Sequence, residues 1–306
     1  MATTLDRDRI EADLEQVPAL EGPRTVEELS GGLTNVNLKV TTPRGEFVVR
    51  CFCQEAGLLG IDRDAEHLNT RAAAEAGVGA PVVDYRPDLG MLVIGFLAGV
   101  TYDNSSFARA GVIPRVADSV RALHAGPRFV NDFDMFKRQR GYRELVRAHG
   151  FALPPGYDDH AGAFAEISRA LAARDEGTVP CNNDLLAGNF VDDGSKVWLI
   201  DYEYSGNNDA CFELGNISTE CDLDADQTEE LVTSYFGRPR RGKLARTRLQ
   251  AMVSQYGWSL WGVIQAGSSP LDFDFTSWGL ERYEKAVRGF TSDDFPRLID
   301  EVQRDD

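Results

Sequence analysis

This sequence has few cysteines and histidines, the residues that form disulfides or bind zinc. Its 306 residues include only five cysteines and four histidines. The cysteines are odd in number and show no paired metal-ligand spacing; they are Cys51, Cys53, Cys181, Cys211 and Cys221. Structural zinc sites need closely spaced cysteine and histidine ligands. The sequence therefore predicts neither a zinc site nor a secreted domain held together by disulfides.

Long apolar runs are also absent. Residues 1–15 are charged and lack the apolar core of a signal peptide. The longest apolar run, Met91 to Val100, contains two glycines and is too short to span a bilayer. We therefore expect a protein of the reducing cytoplasm that has no membrane partner.

Basic residues are fewer than acidic ones. The chain has 32 Lys and Arg against 49 Asp and Glu, and its net charge is −17. Because this charge repels polyanions, no nucleic-acid partner is expected. It attracts a small cationic substrate, although a need for solubility explains the acidity at least as well. A hydrophobic content of 42% is typical of a folded protein, and the length suffices for one large domain or two lobes.

The stretch from Pro180 to Asn216 carries the clearest chemical pattern. Asp184 is followed five residues later by Asn189, then by a turn, an apolar strand over 197–200, and Asp201. In phosphoryl transfer, such a first acid accepts the proton of a hydroxyl nucleophile, and the amide and second acid hold magnesium. Each residue alone is more often a turn or capping residue. The prediction therefore depends on the ordered set.

This stretch resembles the catalytic loop and metal-binding segment of the choline/ethanolamine kinase family, within the wider aminoglycoside phosphotransferase and protein-kinase-like group. The family pattern is H-N-D-x-x-x-x-N followed by a strand ending I-D-x-E-Y, and Asn182 stands where the family has His. The resemblance implies that Asp184 is the catalytic base. It also implies that Asn189 and Asp201 are metal ligands and that Glu203 supports the metal shell.

The N-terminal part alternates apolar and polar residues from Val26 onward. A turn at 43–45 and a returning strand at 47–50 predict an antiparallel hairpin. The entry segment 29–35 contains two glycines, which let a backbone approach a phosphate, although such turns often only reverse the chain. The segment is similar to the glycine-containing turn of the same family. The resemblance implies contacts with ATP from Gly31, Gly32, Thr34 and Asn35.

Arg50 ends the returning strand, and the resemblance implies that it pairs with the triphosphate of ATP. A helix is expected next over 65–76, with Asp62 as its N-cap. Glu66 on this helix is implied to orient Arg50. The residues alone favour a different interpretation, in which Glu66 forms a surface ion pair with neighbouring arginines.

Two more strands are expected, at 81–85 and 91–96, before the segment 97–99 breaks the pattern. The resemblance implies that adenine is received here by backbone groups of Phe96 and Leu97. It further implies an α+β, protein-kinase-like fold in two lobes. Residues 1–97 would form a small antiparallel-sheet lobe that binds the nucleotide, and residues 98–306 a larger, mostly helical lobe for catalysis and substrate binding.

Three of the four tryptophans lie close together near the C-terminus. Trp258 and Trp261 are three residues apart, so they share one face of a helix. Aromatic faces beside carboxylates suit a quaternary ammonium, although tryptophans at this spacing are also common in cores. The pattern W-x-x-W-x-x-x-Q-A is similar to the choline-binding end of choline kinases. The resemblance implies a cage of Trp258, Trp261 and Trp278, with Glu220 facing the cation.

One further aromatic residue of the family cage has no counterpart, because residues 221–224 read C-D-L-D. The cage is therefore expected to be open on one side or shaped for another amine. We expect a phosphotransferase that uses ATP and Mg2+ on choline or a related amino alcohol. A kinase of an aminoglycoside, thiamine or another cationic molecule is the alternative, and a non-catalytic nucleotide- or amine-binding homologue is a third. The sequence favours no oligomeric state.

Overall fold

The computed structural model describes residues 7–29, 32, 34–52 and 58–304. An antiparallel sheet of five strands forms the N-terminal part, in the order β1-β2-β3-β5-β4. The strands are β1 (Thr25–Leu29), β2 (Asn35–Thr42), β3 (Gly45–Phe52), β4 (Val82–Arg86) and β5 (Met91–Gly95). The expected hairpin is present, with Thr42 of β2 opposite Gly45 of β3.

Two helices flank this sheet. The first is α1 (Arg7–Leu14), and the apolar residues Leu14, Val17 and Leu20 at and beyond its end are fully buried against the sheet. The second is α2 (Arg63–Glu75), which begins where the sequence predicts, because the Asp62 carboxylate accepts the backbone N–H of Ala65 at 3.0 Å.

Helices dominate the remainder of the described chain. They are α3 (Val112–His124), α4 (Met135–His149), α5 (Ala161–Ala172), α6 (Ala210–Glu220), α7 (Ala225–Phe236), α8 (Arg241–Ser268), α9 (Phe275–Phe290) and α10 (Phe295–Glu301). The long helix α8 packs against α4, α6 and α9. At its crossing with α9, a Cβ on Gly262 would lie 2.7 Å from the Cα of Gly279. This glycine pair permits the close approach that brings Trp261 beside Trp278.

Five short strands lie among these helices. They are β6 (Val100–Thr101), β7 (Val179–Cys181), β8 (Phe190–Asp192), β9 (Val197–Leu199) and β10 (Gly206–Asn208). β7 pairs with β10, and β8 pairs with both β6 and β9. The loops 182–189 and 200–205 therefore lie side by side, each between the same two small sheets.

The expected α+β class is confirmed, with a sheet-rich N-terminal part and a helical C-terminal part. Among the described residues, none of the helices is both long and apolar enough to cross a membrane.

Candidate active site

A cavity of about 590 Å³ lies where the five-stranded sheet meets the helical part. Nearly all site residues expected from the sequence line it. They are Gly32, Thr34, Asn35, Arg50, Phe96, Leu97, Asp184, Asn189, Asp201, Glu203, Glu220, Trp258, Trp261 and Trp278. Glu66 lies behind the cavity wall, where it contacts Arg50. Gly31 is outside the described residues.

Glu213 holds the loop that carries Asp184 through hydrogen bonds to its backbone. The side chain of Glu213 is fully buried, and its two oxygens accept the backbone N–H groups of Asn182 at 2.8 Å and Asn183 at 2.7 Å. Asn183 has a φ of 69°, in the left-handed region that asparagine tolerates better than most residues. The carboxylate and the asparagine together fix the sharp bend before Asp184.

Asn182 joins the two loops of the site. Its Nδ2 donates to the backbone carbonyls of Ile200 at 3.1 Å and Asp201 at 2.8 Å. Its Oδ1 accepts the backbone N–H of Asp184 at 3.1 Å. Because Asn182 is fully buried, its part is to hold backbone segments together rather than to touch a substrate.

Asp184 and Asn189 are held close together. The amide nitrogen of Asn189 donates to the backbone carbonyl of Asp184 at 2.7 Å, which leaves the amide oxygen as the atom able to bind a cation. Burial, followed by the negative charges of Glu220, Asp201 and Glu203, raises the pKa of the Asp184 carboxyl well above its usual range. The site around Asp184 therefore favours positive charge.

Arg50 on β3 is paired with two acids. Its Nη1 lies 2.7 Å from Glu66 on α2 and 2.7 Å from Asp201 in the second loop. The other oxygen of Glu66 accepts from Arg63 at 2.7 Å. The ion pair with a neighbouring arginine is therefore present, but Glu66 is only 2% exposed, so the expected surface position is wrong. Although burial opposes its charge, the carboxylates of Asp201 and Glu66 raise the pKa of Arg50.

Glu203 connects the glycine-containing turn to the second loop. Its carboxylate accepts from the Thr34 hydroxyl at 2.8 Å and from the Asn35 amide at 2.8 Å, and Arg63 lies 3.4 Å away. Burial and the charge of Asp201 raise the pKa of Glu203 to about 7. Its oxygens thus have protein donors, and its expected support of a metal stays a prediction.

The far end of the cavity is aromatic. Trp258 and Trp261 of α8 face Tyr204, whose hydroxyl accepts the indole N–H of Trp261 at 2.8 Å and whose ring centroid is 4.8 Å from that of Trp258. The Trp278 ring of α9 lies 4.9 Å from that of Trp261. Among the described residues, the buried indole nitrogen of Trp258 has no hydrogen-bond partner. The three tryptophans that the sequence analysis groups together thus lie close to one another, but that analysis did not identify Tyr204.

Glu220 at the end of α6 has two partners that the sequence analysis also missed. One oxygen accepts from Gln255 of α8 at 2.8 Å, and the other is paired with Arg282 of α9. The guanidinium carbon of Arg282 lies 3.3 Å from the centre of the Trp278 ring. The signal for this contact is present in the sequence, because residues four apart on a helix lie on the same face.

The chain matches known proteins in both sequence and fold. The family model for choline/ethanolamine kinase matches residues 26–235. A solved structure of a choline/ethanolamine kinase family protein from Mesorhizobium loti is 31% identical and covers 97% of this chain and 99% of its own, with a TM-score of 0.85.

Two further relatives are less similar in sequence. Choline kinase LicA from Streptococcus pneumoniae is 22% identical, with a TM-score of 0.78 over 93% of this chain and 98% of its own. A probable ethanolamine kinase from Arabidopsis thaliana is 24% identical over 300 residues, which span 85% of this chain and 78% of that protein. The protein-kinase-like fold expected from the sequence is thus confirmed, and the chain belongs to the choline/ethanolamine kinase family.

Proposed function

We propose that this protein transfers the γ-phosphoryl group of ATP to the hydroxyl of choline or a closely related amino alcohol. One observation carries the proposal. A single cavity is lined by Arg50, Asp184 and a cluster of three tryptophans. A triphosphate, a reacting hydroxyl and a cationic head group require groups of these kinds. Membership of the family supports the same reaction.

The nucleotide end is built to hold phosphates. The proposed contacts are the turn with Gly32, Thr34 and Asn35, which lines the cavity beside Arg50. Among the described residues, both ion pairs of Arg50 use Nη1, so its second amino group is available to a phosphate oxygen. The adenine would lie farther along the cavity, near Phe96 and Leu97.

The donors beside Asp184 fit a magnesium ion. Asn189 and Asp201 line the cavity with amide and carboxylate oxygens, the ligand type that Mg2+ prefers. The amide nitrogen of Asn189 is already bonded to the loop, which presents its oxygen. We assign Asn189 and Asp201 as ligands and Glu203 as their support. A magnesium ion held there would neutralise charge on the phosphates.

Asp184 would orient the substrate hydroxyl and accept its proton. Burial and three neighbouring acids raise the pKa of this carboxyl. Its ionised form is therefore a stronger base than an ordinary aspartate. The protein forms no covalent intermediate in this reaction. Most of the acceleration comes from positioning the reactants and stabilising the charge of the transition state.

The aromatic end would bind the ammonium group. A quaternary ammonium offers no hydrogen bond, so it is held by ring faces, here those of Trp258, Trp261 and Trp278. At roughly 1 kcal/mol for each ring, three rings favour a cation over a neutral alcohol by about a hundredfold. Glu220, which is paired with Arg282, also lines the cavity and would face the cation.

We assign nucleotide binding to residues 1–97 and catalysis with substrate binding to residues 98–306. The end of the five-stranded sheet at Gly95, followed by pairing of β6 with β8, supports this division. We also place the enzyme in the cytoplasm. The buried thiols of Cys181, Cys211 and Cys221, none of which is in a disulfide, are consistent with a reducing compartment.

A panel of acceptors tests the proposal. ADP release is measured with choline, ethanolamine, thiamine and an aminoglycoside, each at several concentrations. We expect turnover with choline or ethanolamine and none with the antibiotic. The Asp184→Asn variant, purified in the same way, measures the background from contaminating kinases. Turnover of the aminoglycoside alone would show that the substrate class is wrong.

A further inference from the structure

A cation of the protein contacts two of the residues proposed to bind the substrate ammonium. Arg282 lies over Trp278, with its guanidinium carbon 3.3 Å from the ring centre, and it is paired with Glu220. The side chain of Glu220 is 4% exposed and that of Arg282 is 12% exposed, so solvent screens this pair only weakly. Both Trp278 and Glu220 line the cavity.

Each oxygen of the Glu220 carboxylate has a partner in the protein. One oxygen accepts from Gln255 at 2.8 Å, and the other is taken by Arg282. A second basic residue of α9, Lys285, is engaged with Asp222 at 2.7 Å and with Glu281 at 3.1 Å. Arg282 is thus the α9 cation that neutralises Glu220.

We infer that Arg282 determines specificity for the cationic head group, because it competes with the substrate ammonium for Glu220 and for the face of Trp278. This inference rests on the proposed function and concerns the same cavity. A bound head group retains the faces of Trp258 and Trp261 and the Tyr204 ring. It gains Trp278 and Glu220 only to the extent that Arg282 gives them up.

This competition affects different amines unequally. A trimethylammonium group depends on ring faces, because it cannot donate a hydrogen bond. A primary ammonium has three donors and depends more on charge and hydrogen bonding. Loss of Arg282 returns both a ring face and a carboxylate charge to choline, but mainly the charge to ethanolamine. The arginine therefore shifts preference toward the smaller, primary amine.

The test replaces Arg282 by methionine, which retains much of the side-chain volume without its charge. We expect the KM for choline to fall about tenfold and that for ethanolamine about threefold, while the KM for ATP stays within twofold. Arg288→Met is the matched control, because Arg288 is an exposed residue of the same helix. It loses the same charge and should leave every constant unchanged.

A conservative variant separates competition from simple support of the helix. Arg282→Lys keeps a cation beside Glu220 and Trp278, so the KM for choline should stay within about twofold of the wild type. A higher KM for choline in Arg282→Met would overturn the inference, since Arg282 would then hold the cage in a binding shape. An unchanged ratio between the two amines would overturn it as well.

Binding of tetramethylammonium tests the inference without turnover. Quenching of tryptophan fluorescence reports its Kd, and Arg282→Met should bind it about tenfold more tightly than the wild type. If no amino alcohol is phosphorylated but this tightening occurs, the proposed reaction fails and the role of Arg282 stands. Equal Kd values for the two proteins would overturn the role of Arg282 whatever the reaction.

Discussion

The two ends of the cavity are built from opposite kinds of interaction. At the nucleotide end, the buried pair of Arg50 and Glu66 extends to the half-buried Asp201, and each charge has an opposite partner within 2.7 Å. At the amine end, rings predominate, and the indole nitrogen of Trp258 is buried without a hydrogen-bond partner among the described residues. The first end fixes positions, and the second end offers a surface of ring faces.

This difference indicates which substitutions can change substrate specificity without abolishing activity. A buried charge network loses several kcal/mol when one partner is removed, because the remaining charge is unpaired. Each ring face contributes only about 1 kcal/mol. Changes at the nucleotide end should therefore abolish turnover or stability, whereas changes at the amine end should adjust KM.

The largest effect is expected between the two ends, at Asp184. The change Asp184→Ala should lower kcat at least a thousandfold, because no other described group on this loop is placed to accept the proton. Its melting temperature should not fall, since removal of this acid relieves repulsion from Glu220, Asp201 and Glu203. Single-turnover ADP formation measures the first effect, and thermal unfolding the second. Activity that survives the change would show that the base is another residue.

Glu66→Gln tests the charged end. Glu66 lies between Arg50 and Arg63, and a neutral amide leaves both cations less well held. We expect kcat/KM for ATP to fall about a hundredfold and the KM for choline to change little. Glu75→Gln is a matched control on an exposed position of α2. Equal losses for both substrates would contradict a role confined to the nucleotide end.

Trp261→Phe tests the aromatic end with little loss of packing. The change removes the hydrogen bond to the Tyr204 hydroxyl and shrinks the ring. The KM for choline should rise roughly tenfold, with the KM for ATP unchanged. Trp198→Phe removes the remaining tryptophan, which lies on β9 and is bonded to Asp193, and it should alter neither constant. If the tryptophan cage did not contribute to binding, the KM for choline would be the same in both variants.

The smallest effect is expected at Asn182, the departure from the family pattern. A histidine there can still donate to one of the two backbone carbonyls that Asn182 now holds, so turnover should stay within about tenfold. Steady-state kcat for Asn182→His measures this. A much larger loss would indicate that the loops need both hydrogen bonds.

Local features of the fold were predictable because local chemistry determines them. Leu14, Val17 and Leu20 stand out as apolar residues in a charged segment, and all three are buried. Asp62 is a strong N-cap, and α2 begins directly after it. The motif from Asp184 to Asp201 was recognisable because both loops follow short strands within one stretch of sequence.

Partners of long side chains were less predictable. The residues alone favour a surface position for Glu66, and only the resemblance points inward to Arg50. No signal in the sequence connects Thr34 to Glu203, which are 169 residues apart. Arg282 could have been found by its spacing from Trp278, but its contact with Glu220 depends on how α6 and α9 pack.

The hydrogen bonds of Glu203 and Asp201 also affect the order in which parts of the protein become functional during synthesis. Thr34, Asn35 and Arg50 each reach a partner more than 150 residues later in the chain. During synthesis the five-stranded sheet has all its strands once Gly95 has emerged, long before those acids exist. We therefore expect a nascent chain with an ordered sheet that cannot yet hold ATP. Competence for the nucleotide should arise late and abruptly, when the segment around residue 203 docks.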